Sequence, residues 1–317
     1  MAPSEAFVQC KSPTAAMRTG FRLGFSGMNS HISKEHASPA RALVQGMPFA
    51  LTAAMNAALD PRIQAFYRRV MTTLQQHDLP FMVAGAYALR HHTGIARQTK
   101  DLDLFVKRDD VALVLSTLER AGFKTALPFP HWLGKVYDGE DFIDIIFSSG
   151  NGVASVDQDF FAHAPHGTCF DVPIRWCPVE EMVWSKAFVM ERERFDGADV
   201  AHLLNACGPS IDWQRLIERF GSSWRILLTH VVLFGFIYPN ERDRIPQWVI
   251  DELTERMRRD TSDTKESLPV CGGTLLSRQQ FLVDISERVY RDARITTGVM
   301  SEPEVDDWTA AILPRGE

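Results

Sequence analysis

The chain has 317 residues, 45% hydrophobic and 23% charged, enough apolar material for a sizeable core and for more than one small domain. A formal charge of −6 argues against a surface that coats polyanions in general. Five cysteines (Cys10, Cys169, Cys177, Cys207 and Cys271) lack the short paired spacings of a zinc site or a secreted disulfide framework, and are read as reduced thiols of a cytoplasmic protein.

Through residue 50 the only acids are Glu5 and Glu35, and no period of 3.6 or 2 is visible. Residues 1–58 are therefore expected to be a disordered N-terminal extension, a flexible tail or the product of a start placed upstream of Met28 or Met47. Asp60-Pro61 supplies a helix cap and a first-turn proline, and Ile63, Phe66, Tyr67, Val70, Met71 and Leu74 follow at helical spacing until Leu79-Pro80. Phe81 to Ala84 is predicted as a short buried strand, Gly85-Ala86 as a turn, and Tyr87 to His92 as a short helix ended by Thr93-Gly94. A strand from Asp101 to Val106 comes next, then a helix from Asp109 to Ala121 closed by Gly122, and an edge strand from Phe123 to Ala126.

Asp138-Gly139 is a hairpin signal, so Lys135–Tyr137 and Phe142–Phe147 are predicted to pair antiparallel in a mixed sheet. Pro178 opens a mainly helical region, with Asp196-Gly197 separating two helices and Asp196 placed to cap the second. Further helices are predicted near Trp213–Phe220, Trp224–Phe236, Gln247–Arg258 and Arg278–Arg291. Asp260 to Gly273 reads as a loop and Glu302 to Glu317 as a loosely packed terminus. The apolar run Ile226 to Tyr238 contains His230, falls short of the roughly 20 residues of a membrane span, and is read as a buried helix. The fold class is α/β (α+β), a core with a mixed sheet over 59–178, a helical domain over 179–260, and a loop, helix and tail over 261–317.

The chemistry lies in Arg97-Gln-Thr99-Lys-Asp101-Leu-Asp103-Leu-Phe-Val106 and in Phe142-Ile-Asp144-Ile-Ile-Phe147. On a strand Asp101 and Asp103 emerge on one side while Leu102, Leu104 and Val106 cover the other. Asp144 lies in an apolar run where an ionised carboxyl is costly without a cation, so something positive is expected there. Weaker clusters are His163, His166 and Cys169, where Pro165-His166-Gly167 reads as a turn and no fourth zinc ligand is evident, and His91-His92 at a helix end.

With Gly85-Ala86 and the later Asp144, the Arg97-x-Thr99-x-Asp101-Leu-Asp103-Leu block resembles the polymerase-β-like nucleotidyltransferase superfamily, over roughly residues 60 to 210. The likeness is nearest to small bacterial nucleotidyltransferases that include AbiEii-type toxins of toxin–antitoxin systems. Ala86 stands where that family has Gly or Ser, which removes a hydroxyl but keeps a backbone N–H at a helix start. The resemblance implies a nucleoside triphosphate donor and two Mg2+ ions, or Mn2+, on Asp101, Asp103 and Asp144. Asp144 would also take the acceptor's proton.

Gly85, Ala86, Arg97, Thr99 and Lys186 would then bind nucleotide, with Asp199 in support. The family's Lys-Asp pair appears as Ala198-Asp199, and Arg192 or Arg194 would replace the missing base. The break at Asp196-Gly197 lets Lys186 and Asp199 meet, either for phosphate binding or as a structural salt bridge. The implied reaction moves a nucleoside monophosphate to an acceptor hydroxyl with release of pyrophosphate. The alternative is a catalytically silent module that senses nucleotide or binds protein. Among acceptors (RNA, protein or small molecule) RNA is favoured slightly over a small molecule, on Arg215, Arg219, Arg225, Arg242, Arg244, Arg256, Arg258 and Arg259. The resemblance also allows a cognate antitoxin, and no membrane partner is expected.

Overall fold

A computed structural model describes residues 59–97, 99, 101–259 and 269–311, so the expected N-terminal extension lies outside the described residues. Helix α1 (Pro61–Gln76) starts where Asp60 accepts the Arg62 N–H at 2.8 Å, and buries Phe66, Tyr67, Val70, Met71 and Leu74. Strand β1 (Met82–Val83) leads into α2 (Gly85–Thr93), which ends on Gly94 in the left-handed region. After β2 (Leu102–Phe105) the chain crosses through α3 (Val111–Arg120) to β3 (Lys124–Phe129), β4 (Leu133–Asp138) and β5 (Asp141–Ile146).

These strands form one five-stranded sheet in the order β1-β2-β5-β4-β3, so β3 is an edge as expected. β4 and β5 pair antiparallel through the turn at Gly139, whose φ is +66°, whereas β2 and β5 pair parallel. The sheet is therefore mixed. Its alternation decides which side is core: Leu102, Leu104, Val106, Ile143 and Ile145 are fully buried on one face, and Asp103 and Asp144 are left on the other.

Between the sheet and the helical half lies α4 (Gln158–His163) and then a hairpin of β6 (His166–Cys169) and β7 (Val172–Arg175). The expected turn at Pro165-His166-Gly167 is thus corrected to the start of a strand. The actual turn is Phe170-Asp171, with φ of +50° and +63°. A left-handed non-glycine residue costs on the order of 1–2 kcal/mol, so no local signal announces it. Phe170 is held there by burial between Tyr67 and Tyr87, ring centroids 5.7 and 5.5 Å away.

The helical half is α5 (Val179–Ala187), α6 (Gly197–Cys207), α7 (Trp213–Phe220), α8 (Trp224–Ile237) and α9 (Gln247–Arg259). Its helices match the expected positions closely. Glu180 and Glu181, both buried, anchor α7 to α5 through Arg215, and Arg219 bridges Glu181 to Asp157. Trp213–Ile237 as a whole is long and apolar enough to cross a membrane by length and composition. Here it is interrupted at Gly221, and Arg215 and Arg219 are engaged in these buried ion pairs. One correction concerns α8. Its Leu227, Leu228, Val231 and Phe234 are buried, but Val232 is 66% and Phe236 82% exposed, so only one face is core.

The last region departs furthest from expectation. Val270–Cys271 forms β8, parallel to β9 (Arg291–Asp292), within what reads as loop. The helix expected over Arg278–Arg291 is reduced to α10 (Leu282–Ser286). The amides of Arg278 and Gln280 donate to Glu191 and Ser277 side chains, which gives the backbone an alternative to helix. After α11 (Ala293–Thr296) the described part of the expected loose terminus, through residue 311, is packed. Helix α12 (Glu302–Ala310) has a Ser301–Glu304 capping box, and its Trp308 packs on Phe129, His131 and Trp132.

Candidate active site

β1 lies antiparallel to β2, and the Ala84 N–H donates to the Asp103 carbonyl at 3.0 Å, which sets the start of α2 directly over Asp103. Gly85 has φ of +56°, and a β-carbon there would lie 1.6 Å from Asp103 Oδ2. Only glycine satisfies both conditions. Helix α2 has no side-chain cap, so its first-turn N–H groups are open to an anion.

In the parallel pairing of β2 with β5, Asp103 is the register partner of Asp144. Burial first, then repulsion from Asp101 and Asp144, lifts the Asp103 carboxyl to a pKa of about 7, against the pull of Lys186 and Arg194. Asp144 is raised as well, by burial above all, although Lys135 holds it down in part. Lys135 faces Asp144 across β4 and β5 with Nζ 2.5 Å from Oδ1, and its ammonium lies 3.9 Å from the Phe142 ring centre. The cation expected beside Asp144 is therefore a lysine of the neighbouring strand. The alternation of β4 with β5 carries that signal, since Lys135 is the only basic residue of the hairpin.

Thr99 is placed as a support for Asp101: its hydroxyl donates to Asp101 Oδ1 at 2.7 Å. Arg97 contacts Asp199 of α6 rather than the acidic strand. Lys186 and Asp199 do meet, at 2.8 Å, and Lys186 also reaches Asp196 at 3.0 Å. Asp196 stands at the cap position of α6 without capping it. Burial would raise its carboxyl, but the two hydrogen bonds from Arg194, at 3.0 and 2.9 Å, and the Lys186 charge keep it below the usual range. Arg194, not Arg192, thus stands in the cleft beside Lys186.

A cavity of about 640 Å3 opens over the acidic face, lined by Gly85, Asp103, Lys186, Arg194 and Asp196, and continuing toward Trp132 and Trp308. Asp101 and Asp144 flank Asp103 without lining it, and Ala86, Arg97, Thr99 and Asp199 lie outside its walls. Among the described residues no group of three or more His, Cys, Asp or Glu is arranged to hold a metal ion. Magnesium, however, is commonly held by one or two carboxylates plus substrate phosphates. The all-oxygen pair Asp101 and Asp103, whose repulsion Lys186 and Arg194 offset only in part, fits that demand.

The paired histidines are structural. His91 stacks on Trp176 at 4.6 Å and is pushed to a pKa of about 4 by burial and then by His92, while His92 bonds the Cys177 carbonyl at 2.8 Å. Of the arginines read as an RNA face, Arg244 pairs with Glu241, Arg256 with Glu252, and Arg258 and Arg259 with Glu255, all short-range pairs at the surface.

No family model and no curated protein matches the chain by sequence. Among solved structures it is similar to the antibiotic-resistance factor ANT(2'')-Ia, at 17% identity and a TM-score of 0.37 over 54% of this chain and 98% of that one. It is similar to the lincosamide antibiotic adenylyltransferase LnuA, at 16% identity and a TM-score of 0.32 over 46% and 96%. An antigenic nucleotidyltransferase-like protein from Paracoccidioides brasiliensis aligns at 13% identity and a TM-score of 0.41 over 57% and 91%.

Proposed function

We propose that this chain is a nucleotidyltransferase that moves a nucleoside monophosphate from a nucleoside triphosphate to an acceptor hydroxyl and releases pyrophosphate. The observation that carries this reading is Asp103, pressed against Gly85, in register with Asp144, and opening into the same cavity as Lys186 and Arg194.

The triphosphate is the anion that the open amides of α2 and the two cations would hold. Asp101 and Asp103 would bind Mg2+, which when present supplies charge stabilisation at the α-phosphate and the leaving group. Thr99 fixes Asp101, and Asp103 is kept in place by the strand pairing on both sides. Asp144, with its raised pKa, is the group to accept the proton of the attacking hydroxyl, oriented by Lys135. As acceptor an RNA end is kept slightly ahead of a small hydroxylated molecule, since Arg258 and Arg259, 75% and 78% exposed, form only surface ion pairs that phosphates can displace. An intracellular setting and an AbiEii-like toxin role remain compatible with this chemistry.

The test is incubation of the purified chain with each labelled triphosphate, Mg2+, and either total RNA or a panel of small polyhydroxylated acceptors. Label transferred with stoichiometric pyrophosphate, and absent for Asp103→Ala, is the expected result. Transfer that persists in Asp103→Ala overturns the assignment. One observation favours the silent module: Lys135 already neutralises Asp144. Triphosphate binding without turnover under every acceptor would decide for it.

A further inference from the structure

A second cavity, of about 470 Å3, lies apart from the acidic face and shares no lining residue with the first. It forms where the end of α1 and the entry to β1 meet the hairpin of β6 and β7. That hairpin is sewn to its neighbours. Trp176, just past β7, bridges Val83 in parallel, the Cys177 N–H donates to the Val83 carbonyl at 2.8 Å, and Gln75 Nε2 of α1 donates to the Pro173 carbonyl at 2.5 Å. Leu79, Phe81, Phe161 and Ile174, all buried, give the cavity an apolar floor.

Its charged lining is of one sign. Lys107, His166 and Arg175 stand on its wall, and among the described residues no Asp or Glu does. His166 and Arg175 are register partners across the hairpin, so their side chains share a face. The half-buried Arg175 guanidinium donates to the Phe161 carbonyl at 3.2 Å, at the cavity wall, and pairs with no carboxylate among the described residues. Lys107 reaches Asp110 only at 3.5 Å. The acids nearest to the lining along the chain are engaged elsewhere, Asp157 and Asp159 with Arg219 and Asp171 with Arg68. A cation partly withdrawn from water without a counter-charge is costly, and on a chain of net charge −6 such a basic hollow is a local exception.

We infer that this second cavity binds a small organic anion, a carboxylate or phosphate monoester carrying an apolar group, with Arg175 and Lys107 on the anion and the apolar body on Leu79, Phe81 and Ile174. Both halves of the ligand follow from the lining. A guanidinium is always charged and its fork matches the oxygens of carboxylate or phosphate, while Lys107 adds a point charge and His166 a ring nitrogen at the rim. The buried floor offers nothing to a fully hydrated inorganic ion and rewards an apolar group that covers it. The volume of about 470 Å3 falls in the range of sites for a single small ligand. Since neither Gly85 nor Asp103 lines this cavity, the inference stands independently of nucleotidyl transfer.

The experiment is calorimetric titration of the full chain by phenyl phosphate, benzoate and inorganic phosphate, repeated on Arg175→Met, Lys107→Met and Asp103→Asn, with a melting curve for each variant. Phenyl phosphate or benzoate should bind one to one and at least tenfold more tightly than inorganic phosphate, and the tighter of the two names the head group. Loss of either cation should weaken that binding about tenfold, one charge-assisted contact, while Asp103→Asn leaves it unchanged. Lys107→Met gives up only a loose pair and should melt like wild type, which separates lost binding from lost folding even where Arg175→Met unfolds. Binding that disappears in Asp103→Asn and survives in both cation variants places the anion in the first cavity and overturns the inference. Equal affinity for inorganic phosphate overturns the apolar half, and no binding of either organic probe at millimolar concentration overturns the site.

Discussion

The backbone of Gly85 and the carboxylate of Asp103 share space so closely that a β-carbon at position 85 would stand 1.6 Å from Asp103 Oδ2. The acid and the helix start that would hold phosphate are thereby one unit. Gly85→Ala must push Asp103 away and also adopt φ near +56° with a side chain. The expected cost is about 1–3 kcal/mol of stability together with at least a hundredfold loss of nucleotidyl transfer. Thermal denaturation and a transfer assay on the variant check both; a fully active, equally stable Gly85→Ala protein would refute the coupling.

Asp103 is destabilising in the form its chemistry needs. Its carboxyl is raised to about 7 by burial and by its acidic neighbours, so the folded state holds a proton that the unfolded state releases near pH 4. Between those values the folded state binds more protons, and this contribution to stability falls as pH rises from about 4 to about 7. Asp103→Asn should abolish transfer yet raise the melting temperature above pH 7 without divalent cation, at roughly 2–4 °C per kcal/mol. It should also flatten the decline between pH 4 and 7. A melting profile parallel to wild type across that window would contradict the assignment.

Lys135 and Asp144 form the half-buried pair of the hairpin, 2.5 Å apart. Lys135→Met leaves the carboxylate on its apolar strand without its cation, an expected loss of about 1–3 kcal/mol. If divalent cation binds beside Asp144, millimolar Mg2+ should return part of the lost melting temperature in this variant and little in wild type. Equal Mg2+ shifts in both proteins would show that no cation takes the lysine's place.

Lys186 holds Asp196 and Asp199 at 3.0 and 2.8 Å while facing the cavity. Lys186→Met should raise the KM for triphosphate at least tenfold, the loss of one charge-assisted contact, with kcat less affected. A change in stability with no change in KM would return Lys186 to a purely structural salt bridge.

Local pattern alone determined much of this protein. The Asp60-Pro61 cap, the alternation around Asp101 and Asp103, the Asp138-Gly139 turn and the helical periods from 179 to 259 depend on neighbours within a few residues, and the elements formed where those signals stand. The meeting of Lys186 with Asp199 was legible too, because the Asp196-Gly197 break is local. Tertiary structure alone decided what depends on contacts distant in sequence. Phe170 turns left-handed because Tyr67 and Tyr87 enclose it, and Arg97 leaves the acidic strand for Asp199. Glu191, some 86 residues before Ser277, captures a segment that would otherwise be helix. Trp308 likewise becomes a cavity wall only once Phe129 and Trp132 are beneath it. Such choices turn on burial and on pairing of polar groups across the fold, energies that no window of adjacent residues contains.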